Sequence, residues 1–522
     1  MYCNNNNKLS IYYNKKKLHP YTKTLNLYQV ELSLFNITPG IPDKPYNTND
    51  YNIAQQNIVG INNAISYAYM NNYDGIILPK NFYSVCYVAN EYGDDKYQRH
   101  IYIDRNNFTA DFNNSTFKVI YCSEGGNPFT PDVTYEPVKS FDATIFVMCD
   151  CKNSKLKNFT LIGDKIDRSF TEQAEKAVEK TYGIHAGSNC INITIENVDS
   201  SLFMGDSITS GAGFGANNTI ECGYSMEWTN SEIDNNGNII SSENYMCSHY
   251  ISLDTSKEYF CMRGLGYTQG LTSLKKKYFW VGYYDENKNF LRKELNYVLK
   301  PIKIYNDCKY AVIQIEETSY DEQWWWMMLN YGVLGENVII KNCYIHHNHR
   351  GGVSVGVNGV TIINNRFYKN GAAYDDDNNL PGFEQADGNL FMTRYHISME
   401  DSQAWDLNIH DNTYFGSRIG IAVRGMSSCI KNENLLKCDL GIVLYSMRAC
   451  IIENCRTSLN IGNYNIEAIP LRDYYISNNE FTNVEIKGTS PITAFTNNTI
   501  SGTYYRQETT PIYNEENNIM IN

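Results

Sequence analysis

The sequence predicts an all-β fold, a right-handed parallel β-helix with an N-terminal capping helix and an inserted β-sandwich domain. Two observations predict the β-helix: a short stretch repeats at a fixed offset, and an Asn recurs in the repeats. NVIIKNCYIHHN at 337–348 superposes on GVTIINNRFYKN at 359–370 with an offset of 22 residues, and NITIENV at 192–198 repeats the first of them. A single coil cannot bury its own apolar face, so coils of this length need neighbours above and below.

The recurring Asn extends this register along the chain. The steps from Asp411 to Asn432, then to Asn454 and then to Asn478 are 21, 22 and 24 residues. Asn364 and Asp411 are 47 residues apart, which we expect to hold roughly two coils plus an excursion. Asn suits this position because it tolerates the left-handed turn between two strands, and stacked Asn side chains can hydrogen-bond along the column.

Length and charge limit the classes of function. A chain of 522 residues exceeds the usual size of a single core, which favours several domains or an elongated repeat. The net charge of −13 and the pI near 5.3 argue against nucleic acid or an anionic membrane surface as the main partner. A neutral or cationic glycan, or a protein, is easier to accommodate. The 43 tyrosines and abundant Asn are typical of surfaces that bind sugars, although an A/T-rich genome gives the same bias.

The cysteines indicate a reducing compartment. There are fifteen of them, an odd number, and no Cys-x-x-Cys pair occurs. Cys343, Cys429, Cys450 and Cys455 lie inside repeat units where small buried side chains belong, so we expect reduced core thiols and folding in a cytoplasm. No apolar stretch follows Lys15–Lys17 and no long apolar run occurs elsewhere, so we expect neither a signal peptide nor membrane insertion.

The chain divides into four predicted segments. Residues 1–45 are rich in Asn and Lys and then punctuated by Pro, which indicates an attachment arm. Residues 46–220 form the first part of the β-helix, with apolar residues at helical spacing from Ala54 to Met70. The coil register disappears over 221–335, the predicted inserted β-sandwich, and residues 336–522 form the second part of the β-helix.

The segment NIVGINNAISYAYMNNYDGIILPKNFYSV at 57–85 resembles the entry segment of pectate-lyase-superfamily β-helices, as found in phage tailspikes. The resemblance implies a helix that caps the open end of the solenoid. Capping is also required physically, because the first coil otherwise exposes its apolar end and an unpaired strand edge. The same resemblance implies a homotrimer located in a virion tail, with other tail proteins as partners.

The inserted segment reads as antiparallel strands. A hairpin turning at DENKN (285–289) is followed by the alternating strand KYAVIQIEE at 309–317. This segment resembles the β-sandwiches of phage tail proteins and carbohydrate-binding modules. It ends in three tryptophans, of which Trp324 and Trp326 share one strand face. They either pack against the β-helix or form a platform on which a sugar stacks.

Three consecutive acids, Asp375, Asp376 and Asp377, lie in a polar excursion. Such acids can bind Ca²⁺, but ligands from adjacent residues diverge and no spaced Asp-x-Asp-x-Asp-Gly pattern is present. A solvated loop is therefore the interpretation that the sequence favours, and no cofactor is expected.

Strands that follow the anchor Asn are flanked by polar side chains. In a β-helix, equivalent positions of successive coils stack about 4.8 Å apart, so these side chains form columns. The strands expected to stack begin at Ser207, Val353, Ile397, Ile421 and Ile442, with Ile184 in the coil before. The flanking residues predict a surface groove lined by Asp206, His185, His349, Arg350, Glu400, Asp401 and Arg424.

This predicted groove suggests carbohydrate chemistry. One carboxylic acid can protonate a glycosidic oxygen while a carboxylate activates water or stabilises the oxocarbenium ion; alternatively an Arg or His acts as base in β-elimination from a uronic acid. A charge ladder with a purely structural role is the competing interpretation. The catalytic candidates are Glu400, Asp206, Asp401, Arg350 and His349. The candidates for substrate binding are His185, Arg394, Arg418, Arg424, Trp324 and Trp326.

Two further resemblances bear on the chemistry. HRGGVSVG at 349–356 and ISMEDSQAWDLNIHDN at 397–412 are similar to phage β-helix proteins with an Arg-bearing turn and an acidic strand end, which implies roles for Arg350 and Glu400, and GDSI implies one for Asp206. The pattern departs from the family in lacking a second carboxylate on a neighbouring coil.

FMGDSITSGAG also resembles the nucleophile block of SGNH esterases, with Ser207 as the nucleophile. That family needs a downstream Asp-x-x-His, which this sequence lacks, and without a base the hydroxyl is a weak nucleophile.

Two hypotheses of function remain at the level of sequence. In the first, the chain is a phage or prophage tailspike-like protein that binds and depolymerises a bacterial surface polysaccharide as a glycoside hydrolase or lyase. In the second, it is a receptor-binding or structural tail protein without catalysis. A carbohydrate esterase is the least favoured alternative.

Overall fold

The computed structural model describes most of the chain. The described residues are 24–87, 96–120, 144–168, 181–187, 189–211, 219–223, 225–264, 274, 276–322, 324, 327–372, 374–382, 394–399, 404–425, 427–447, 449–462, 473–487, 492–508 and 510–521. Of the candidate site residues, Glu400, Asp401 and Trp326 lie outside them.

The described part of the chain is almost entirely β-structure. Its helices are α1 (Thr48–Met70) and α2 (Lys96–Arg99), with 3-10 turns at Leu32–Phe35 and Lys165–Asp167. The strands are β1 (Leu27–Gln29), β2 (Gly75–Ile77), β3 (Phe82–Val85), β4 (Ile101–Ile103), β5 (Thr109–Val119), β6 (Thr144–Met148), β7 (Lys155–Ile162), β8 (Tyr182–Ala186), β9 (Ile191–Ser201), β10 (Asp206–Ser210), β11 (Thr219–Cys222), β12 (Trp228–Ile233), β13 (Ile239–Ser248), β14 (Ile251–Ser252), β15 (Tyr259–Gly264), β16 (Tyr278–Tyr284), β17 (Phe290–Tyr297), β18 (Ile302–Lys303), β19 (Tyr310–Ile315), β20 (Met327–Tyr331), β21 (Glu336–Lys341), β22 (Tyr344–His346), β23 (Gly351–Val355), β24 (Thr361–Ile363), β25 (Arg366–Tyr368), β26 (Tyr374–Asp375), β27 (Leu380–Pro381), β28 (Tyr395–Ser398), β29 (Leu407–His410), β30 (Thr413–Gly425), β31 (Ser428–Lys431), β32 (Asn434–Met447), β33 (Ala449–Glu453), β34 (Arg456–Gly462), β35 (Asp473–Ser477), β36 (Glu480–Ile486), β37 (Ala494–Thr496), β38 (Thr499–Ile500), β39 (Tyr504–Arg506), β40 (Glu515–Glu516) and β41 (Ile519–Met520).

Three stacks of parallel strands run along the molecule and form a β-helix. One stack passes through β9, β21, β24 and β29, a second through the end of β9, β22, β25 and β30, and a third through β10, β23, β28 and the end of β30. In the first stack Ile195 pairs with Ile340 and Ile340 with Ile362. The predicted offset of 22 residues and the predicted parallel β-helix are confirmed.

Long excursions leave and re-enter the stack within one rung. Ile362 pairs directly with Ile409, so the step from Asn364 to Asp411 is a single rung with an excursion. The expectation of two coils over that step is therefore wrong. Likewise β9 pairs directly with β21, although 145 residues separate Asn197 from Asn342. Residues far apart in sequence consequently meet as neighbours on adjacent rungs.

The anchor Asn occupies the left-handed turn at the corner between two stacks. The φ angles at this corner lie between 54° and 56° for Asn197, Asn342, Asn364, Asn432 and Asn454. The side chains also bond along the column, since the amide of Asn432 donates to Asp411 at 2.8 Å and that of Asn454 to Asn432 at 3.3 Å. Both predicted reasons for Asn at this position are present.

At several anchors the next residue is a buried polar side chain, and these side chains form a second polar column. Asn365 donates to Asn412 at 3.0 Å, and Asn479 donates to Asn498 at 2.9 Å. Glu433 takes the same position, where it is 1% exposed and accepts a hydrogen bond from the Asn412 amide at 3.2 Å. Burial raises the pKa of Glu433 to about 8. A carboxyl group thus replaces an amide in a buried ladder.

An amphipathic helix, α1, covers the start of the β-helix. The predicted helix begins earlier than Ala54, at Thr48, because Asn47 and Asp50 form a capping box in which each side chain accepts from the other's backbone N–H. Ile58, Ile61 and Ile65 are buried in the same core as the first rungs. Within the described residues, no helix has the length and apolar character needed to cross a membrane.

Part of the predicted N-terminal arm belongs to the β-helix. Within residues 1–45, Leu27–Gln29 pairs in parallel with β2 and forms the first strand of its stack. The assignment of residues 1–45 to an attachment arm stays a prediction. Residues 1–23 lie outside the described part of the chain.

Two antiparallel sheets lie between β10 and β21. One has the order β11-β20-β15-β18 and the other β12-β13-β19-β16-β17, and their apolar residues share one core. The hairpin predicted at 285–289 joins β16 to β17, and the Asp285 carboxylate accepts from the backbone N–H of Asn287 and Asn289 at 2.8 Å each. Trp324 is 1% exposed and packs against Trp228, so it is not a sugar-stacking platform. The limits of an inserted domain at 221 and 335 stay a prediction.

The buried carboxyl of Glu433 makes stability depend on pH. Its folded pKa of about 8 exceeds the ordinary value of 4.5, so its contribution is fully present below pH 4.5 and is lost as pH rises through 8. Glu433→Gln keeps the acceptor and removes the titration. We expect the variant to melt higher than the wild type at pH 8, by an equivalent of a few kcal/mol at most, with a smaller advantage at pH 5.

Thermal unfolding at pH 5, 6.5 and 8 measures this difference, with Glu480→Gln as the matched control because its side chain is 69% exposed. An advantage of Glu433→Gln that stays constant across this pH range contradicts the assignment.

Candidate functional site

Three side chains of the third stack form a buried polar cluster. The Arg350 Nη1 donates to Asp206 Oδ2 at 2.6 Å and lies 2.7 Å from the Tyr395 hydroxyl. The Tyr395 hydroxyl donates to Asp206 at 3.0 Å. These residues come from adjacent rungs, because Asp206 pairs with Gly351 and Gly351 with Tyr395.

Gly351 makes room for this cluster. A Cβ at this position would lie 2.3 Å from the Tyr395 ring and 2.6 Å from Asp206 Oδ1. The missing side chain lets a tyrosine reach across one rung to a carboxylate two rungs away. The carboxylate is 1% exposed and the arginine side chain 10%, so the ion pair is well shielded from water.

The predicted surface groove is buried where the structure describes it. Asp206 and His185 are fully buried, His349 is 1% exposed and Arg350 is 8% exposed. The expectation of a solvent-lined groove at these residues is corrected, because their polar atoms face other parts of the protein. Burial lowers the pKa of His185 to about 3, so this imidazole is neutral.

The strand register explains a second correction. Ile208, and not Ser207, pairs with Val353, so the predicted alignment is displaced by one residue at this rung, while the later strands stack as predicted. Ser207 is fully buried and its hydroxyl donates to the Ser200 hydroxyl at 2.6 Å. A buried serine held in this way does not serve as an esterase nucleophile.

The remaining arginines of the predicted site lie partly exposed along the same face. Arg394, Arg418 and Arg424 are half-buried, and the Arg394 Nε donates to the Gly371 carbonyl at 3.2 Å. Arg350, Arg394 and Arg418 do stack on successive rungs, as predicted. A catalytic role for Glu400, Asp206, Asp401, Arg350 and His349 stays a prediction.

A row of three partly exposed rings and one exposed leucine lies on the second stack. His346 pairs with Tyr368, Tyr368 with Phe415, and Phe415 with Leu436 on four consecutive rungs. The rings of Tyr368 and Phe415 stack at 5.4 Å with an interplanar angle of 13°. We call these four residues, together with Tyr344 and Arg366 in the adjacent column, the aromatic ridge.

Cations lie over the rings of the ridge. The Arg366 guanidinium is 4.9 Å from the centre of the Tyr344 ring, the Lys369 ammonium is 5.4 Å from Tyr368, and the Lys437 ammonium is 5.2 Å from Phe415. Each cation is attracted by the electron-rich face of its ring, an interaction worth about 0.5–1 kcal/mol at exposed sites. The ridge therefore offers hydrogen-bond donors as well as apolar surface.

A shallow open groove of about 500 Å³ continues the ridge. It is lined by Tyr344, Arg366 and Thr413, which pair with one another in one column of the second stack. Its other wall carries the exposed anchor amides of Asn342 and Asn364 and the carboxylate of Asp411. Apolar ring surface and polar amides consequently lie within one concave surface.

A chain of hydrogen bonds through two histidines borders the ridge. His346 Nε2 is 2.9 Å from Asp199 Oδ1, the two Nδ1 atoms of His346 and His347 are 2.7 Å apart, and His347 Nε2 is 2.8 Å from Asp377 Oδ2. Burial lowers the pKa of His347.

The turn that carries Asp377 is anchored by a buried ion pair. The Lys165 ammonium lies 2.6 Å from Asp375 Oδ2, and both side chains are at most 3% exposed. Lys165 outweighs the effect of burial and lowers the pKa of Asp375. The interpretation of Asp375 to Asp377 as a solvated loop is therefore wrong for Asp375. Its carboxylate is buried and forms an ion pair with a lysine that follows β7.

Sequence reasoning missed the aromatic ridge and the histidine chain. The offset of 22 residues already places Tyr344 on Arg366 and His346 on Tyr368. Phe415 was not found because its rung is separated by a long excursion. Asp199, Asp375 and Asp377 come from separate segments, and no sequence spacing signals their approach to His347.

Comparison with known proteins supports no family assignment for the whole chain. The profile of the family described as periplasmic copper-binding protein (NosD) matches residues 301–514, which is less than half of the chain. No curated protein matches the sequence.

Several solved structures are similar to this one. The mannuronan C-5 epimerase AlgE6 A-module of Azotobacter vinelandii is 11% identical over 95% of this chain and 99% of that chain, with a TM-score of 0.42. The catalytic unit of a GH87 alpha-1,3-glucanase from Streptomyces thermodiastaticus is 9% identical over 92% and 69%, with a TM-score of 0.32. The Gp54 tailspike of Acinetobacter baumannii bacteriophage AP22, in complex with A. baumannii capsular saccharide, is 9% identical over 95% and 70%, with a TM-score of 0.28. At these values the likeness does not extend to the chemistry of a site.

Removing the guanidinium of Arg350 tests the buried cluster. Arg350→Met keeps the aliphatic stem but leaves the Asp206 carboxylate buried without its cation, which we expect to cost about 3–5 kcal/mol. The double variant with Asp206→Asn is expected to recover part of this loss. Denaturant unfolding measures both, with Arg456→Met as the control because that side chain is 68% exposed. Equal stabilities of Arg350→Met and the wild type contradict the assignment.

Proposed function

We propose that this chain binds a bacterial surface polysaccharide along the aromatic ridge and its adjoining groove. The observation that carries the proposal is the row of His346, Tyr368, Phe415 and Leu436 on consecutive rungs, with cations over the rings of Tyr368 and Phe415. A polymer of repeating units is matched by a surface whose side chains repeat at the spacing of the rungs.

The chemistry of the ridge fits a sugar chain. A pyranose has an apolar face of C–H groups and a rim of hydroxyls. The partly exposed rings and the exposed Leu436 side chain offer apolar contact area to this face, and Arg366 together with the Asn342 and Asn364 amides offers hydrogen bonds to the rim. A nucleic acid is a poorer fit because the chain carries a net charge of −13.

Cleavage of the bound polysaccharide is the finer part of the proposal. Both ring nitrogens of His346 are engaged, by Asp199 and by His347, so the accessible group of this pair is the Asp199 carboxylate, which is 45% exposed at the edge of the ridge and can accept or donate a proton beside a bound sugar. Hydrolysis and β-elimination both require such a group. A non-catalytic receptor-binding protein uses the same ridge without proton transfer, so turnover separates the two functions.

Removing side chains from the aromatic ridge is expected to weaken the binding of the polysaccharide. Tyr368→Ala removes the central ring and Arg366→Ala removes an exposed guanidinium, and each is expected to weaken binding of purified host capsular polysaccharide about tenfold. Affinity electrophoresis in gels containing the polysaccharide measures the change. Tyr513→Ala is the matched control, because this tyrosine is 74% exposed and lies outside the ridge.

Wild-type affinity in both ridge variants, with melting temperatures unchanged, rules out the ridge as the binding surface. The same incubations measure turnover through new reducing ends or the absorbance of unsaturated uronates. Binding of a polysaccharide without either signal rules out cleavage of that polysaccharide and favours the non-catalytic function.

We also propose that this chain forms a homotrimer in a virion tail. It is motivated by the resemblance of the entry segment at 57–85 to tailspikes and by the long flank that a solenoid of this size exposes. Analytical ultracentrifugation at micromolar concentration is expected to give a trimer. If only a monomer is found, this part of the proposal is wrong, and the proposal that the ridge binds a polysaccharide is unaffected.

A further inference from the structure

We propose that His347, Asp375 and Asp377 form a binding site for a first-row divalent transition metal ion, with Zn²⁺ as the test ion. One ligand atom from each of the three residues lies within 4.8 Å of the others. His347 follows β22, whereas Asp375 ends β26 and Asp377 lies in the turn after it. The site thus joins a corner of the β-helix to the excursion that leaves it after β25.

The hydrogen-bond chain next to this site contains more contacts than two neutral imidazoles can fill. The contacts to Asp199 and Asp377 each require an N–H, because a carboxylate is an acceptor. The contact between the two Nδ1 atoms of His346 and His347, at 2.7 Å, requires a third N–H. Two neutral imidazoles carry two N–H groups between them. One contact is therefore left for an additional proton or for a metal ion.

The geometry favours the metal at the Asp377 end. His346 can donate Nε2–H to Asp199 while His347 donates Nδ1–H to His346, so that both rings are oriented from the Asp199 side. The lone pair of His347 Nε2 then faces Asp377 Oδ2 at 2.8 Å. Two electron-rich atoms repel at this distance, whereas a cation between them binds both. Metal-ligating histidines commonly donate their second N–H to such a partner.

The lysines around the site orient the carboxylates. Lys369 lies 2.8 Å from Asp377 Oδ1, which leaves Oδ2 directed at His347. Lys165 holds the Asp375 carboxylate through Oδ2, at 2.6 Å. Zinc binds nitrogen and oxygen at about 2.0–2.2 Å, so two ligands of a tetrahedral ion lie about 3.4 Å apart. The His347 and Asp377 contact therefore needs to open by roughly half an ångström.

The ligand set selects among metals. One imidazole nitrogen with carboxylate oxygens suits zinc and its first-row neighbours. Calcium prefers six to eight oxygen ligands, so the imidazole gives it no advantage. The sequence pattern of consecutive acids favoured a solvated loop over a calcium site, because the histidine on another rung is not visible in that pattern.

Titration calorimetry tests the site on the full-length protein after treatment with a chelator. We expect one Zn²⁺ per chain at pH 7.5 with a micromolar or tighter Kd. His347→Ala and Asp377→Asn are each expected to weaken binding at least tenfold. Ca²⁺ is expected to bind at least tenfold more weakly than Zn²⁺ to the wild type.

Two matched controls distinguish this site from ordinary surface groups. Asp376→Asn changes an exposed acid of the same turn, and His410→Ala removes another partly exposed histidine beside an aspartate. Both are expected to bind Zn²⁺ as the wild type does. Unchanged binding in His347→Ala, no binding by the wild type, or tighter binding of Ca²⁺ overturns the proposal. The assay uses no polysaccharide, so its outcome is independent of the proposed function.

Discussion

The structure depends on the backbone pairing of each rung with the next in a fixed register. Parallel pairing satisfies the backbone of every inner rung, and a shift by one residue would turn the core face of a strand outward. The anchor Asn holds this register because it adopts the left-handed conformation that the corner requires, with φ between 54° and 56° at Asn342 and Asn364 as at the other corners named above. The residues of the aromatic ridge form columns because this corner repeats.

The same stacking places polar side chains in the interior, where they need hydrogen-bond partners from the protein. The amide ladder through Asn365 and Asn412 runs along one inner corner, and an unpaired amide there would be costly. Glu433 interrupts that ladder with a group that is kept protonated by burial. Asp206 has different partners, since it accepts hydrogen bonds from Arg350 and from the Tyr395 hydroxyl. Two buried carboxyl groups of one solenoid are thus satisfied in different ways, one within an amide ladder and the other by a guanidinium and a phenol.

The sequence predicts the features that repeat along the chain, but not the contacts between segments that are far apart in it. Ile340 over Ile362 follows from the offset of 22 residues, and the capping helix follows from apolar spacing in the segment that ends at Met70. Between Asn364 and Asp411 the sequence predicted two coils, and the structure has one coil with an excursion. The number of residues in such a segment does not show how many of them form rungs.

The character of Asp206 was also not predictable. A charged residue at a strand end resembles a surface residue in sequence, and its burial depends on a neighbour without a side chain, Gly351. The meeting of His347 with Asp375 and Asp377 depends on how the excursion folds back, which no periodicity records.

The insertion between β10 and β21 has a consequence for the order of folding. Asp206 pairs with Gly351, so this contact closes a loop of about 144 residues, whereas the pairings of β29 with β31 and of β31 with β33 close loops of about 22. Closing a longer loop costs more chain entropy, and contacts of high sequence separation form slowly. The antiparallel strands within the loop have nearer partners, and they are expected to collapse first and shorten the effective distance. The insertion then serves as a nucleus that joins two otherwise separate halves of the solenoid.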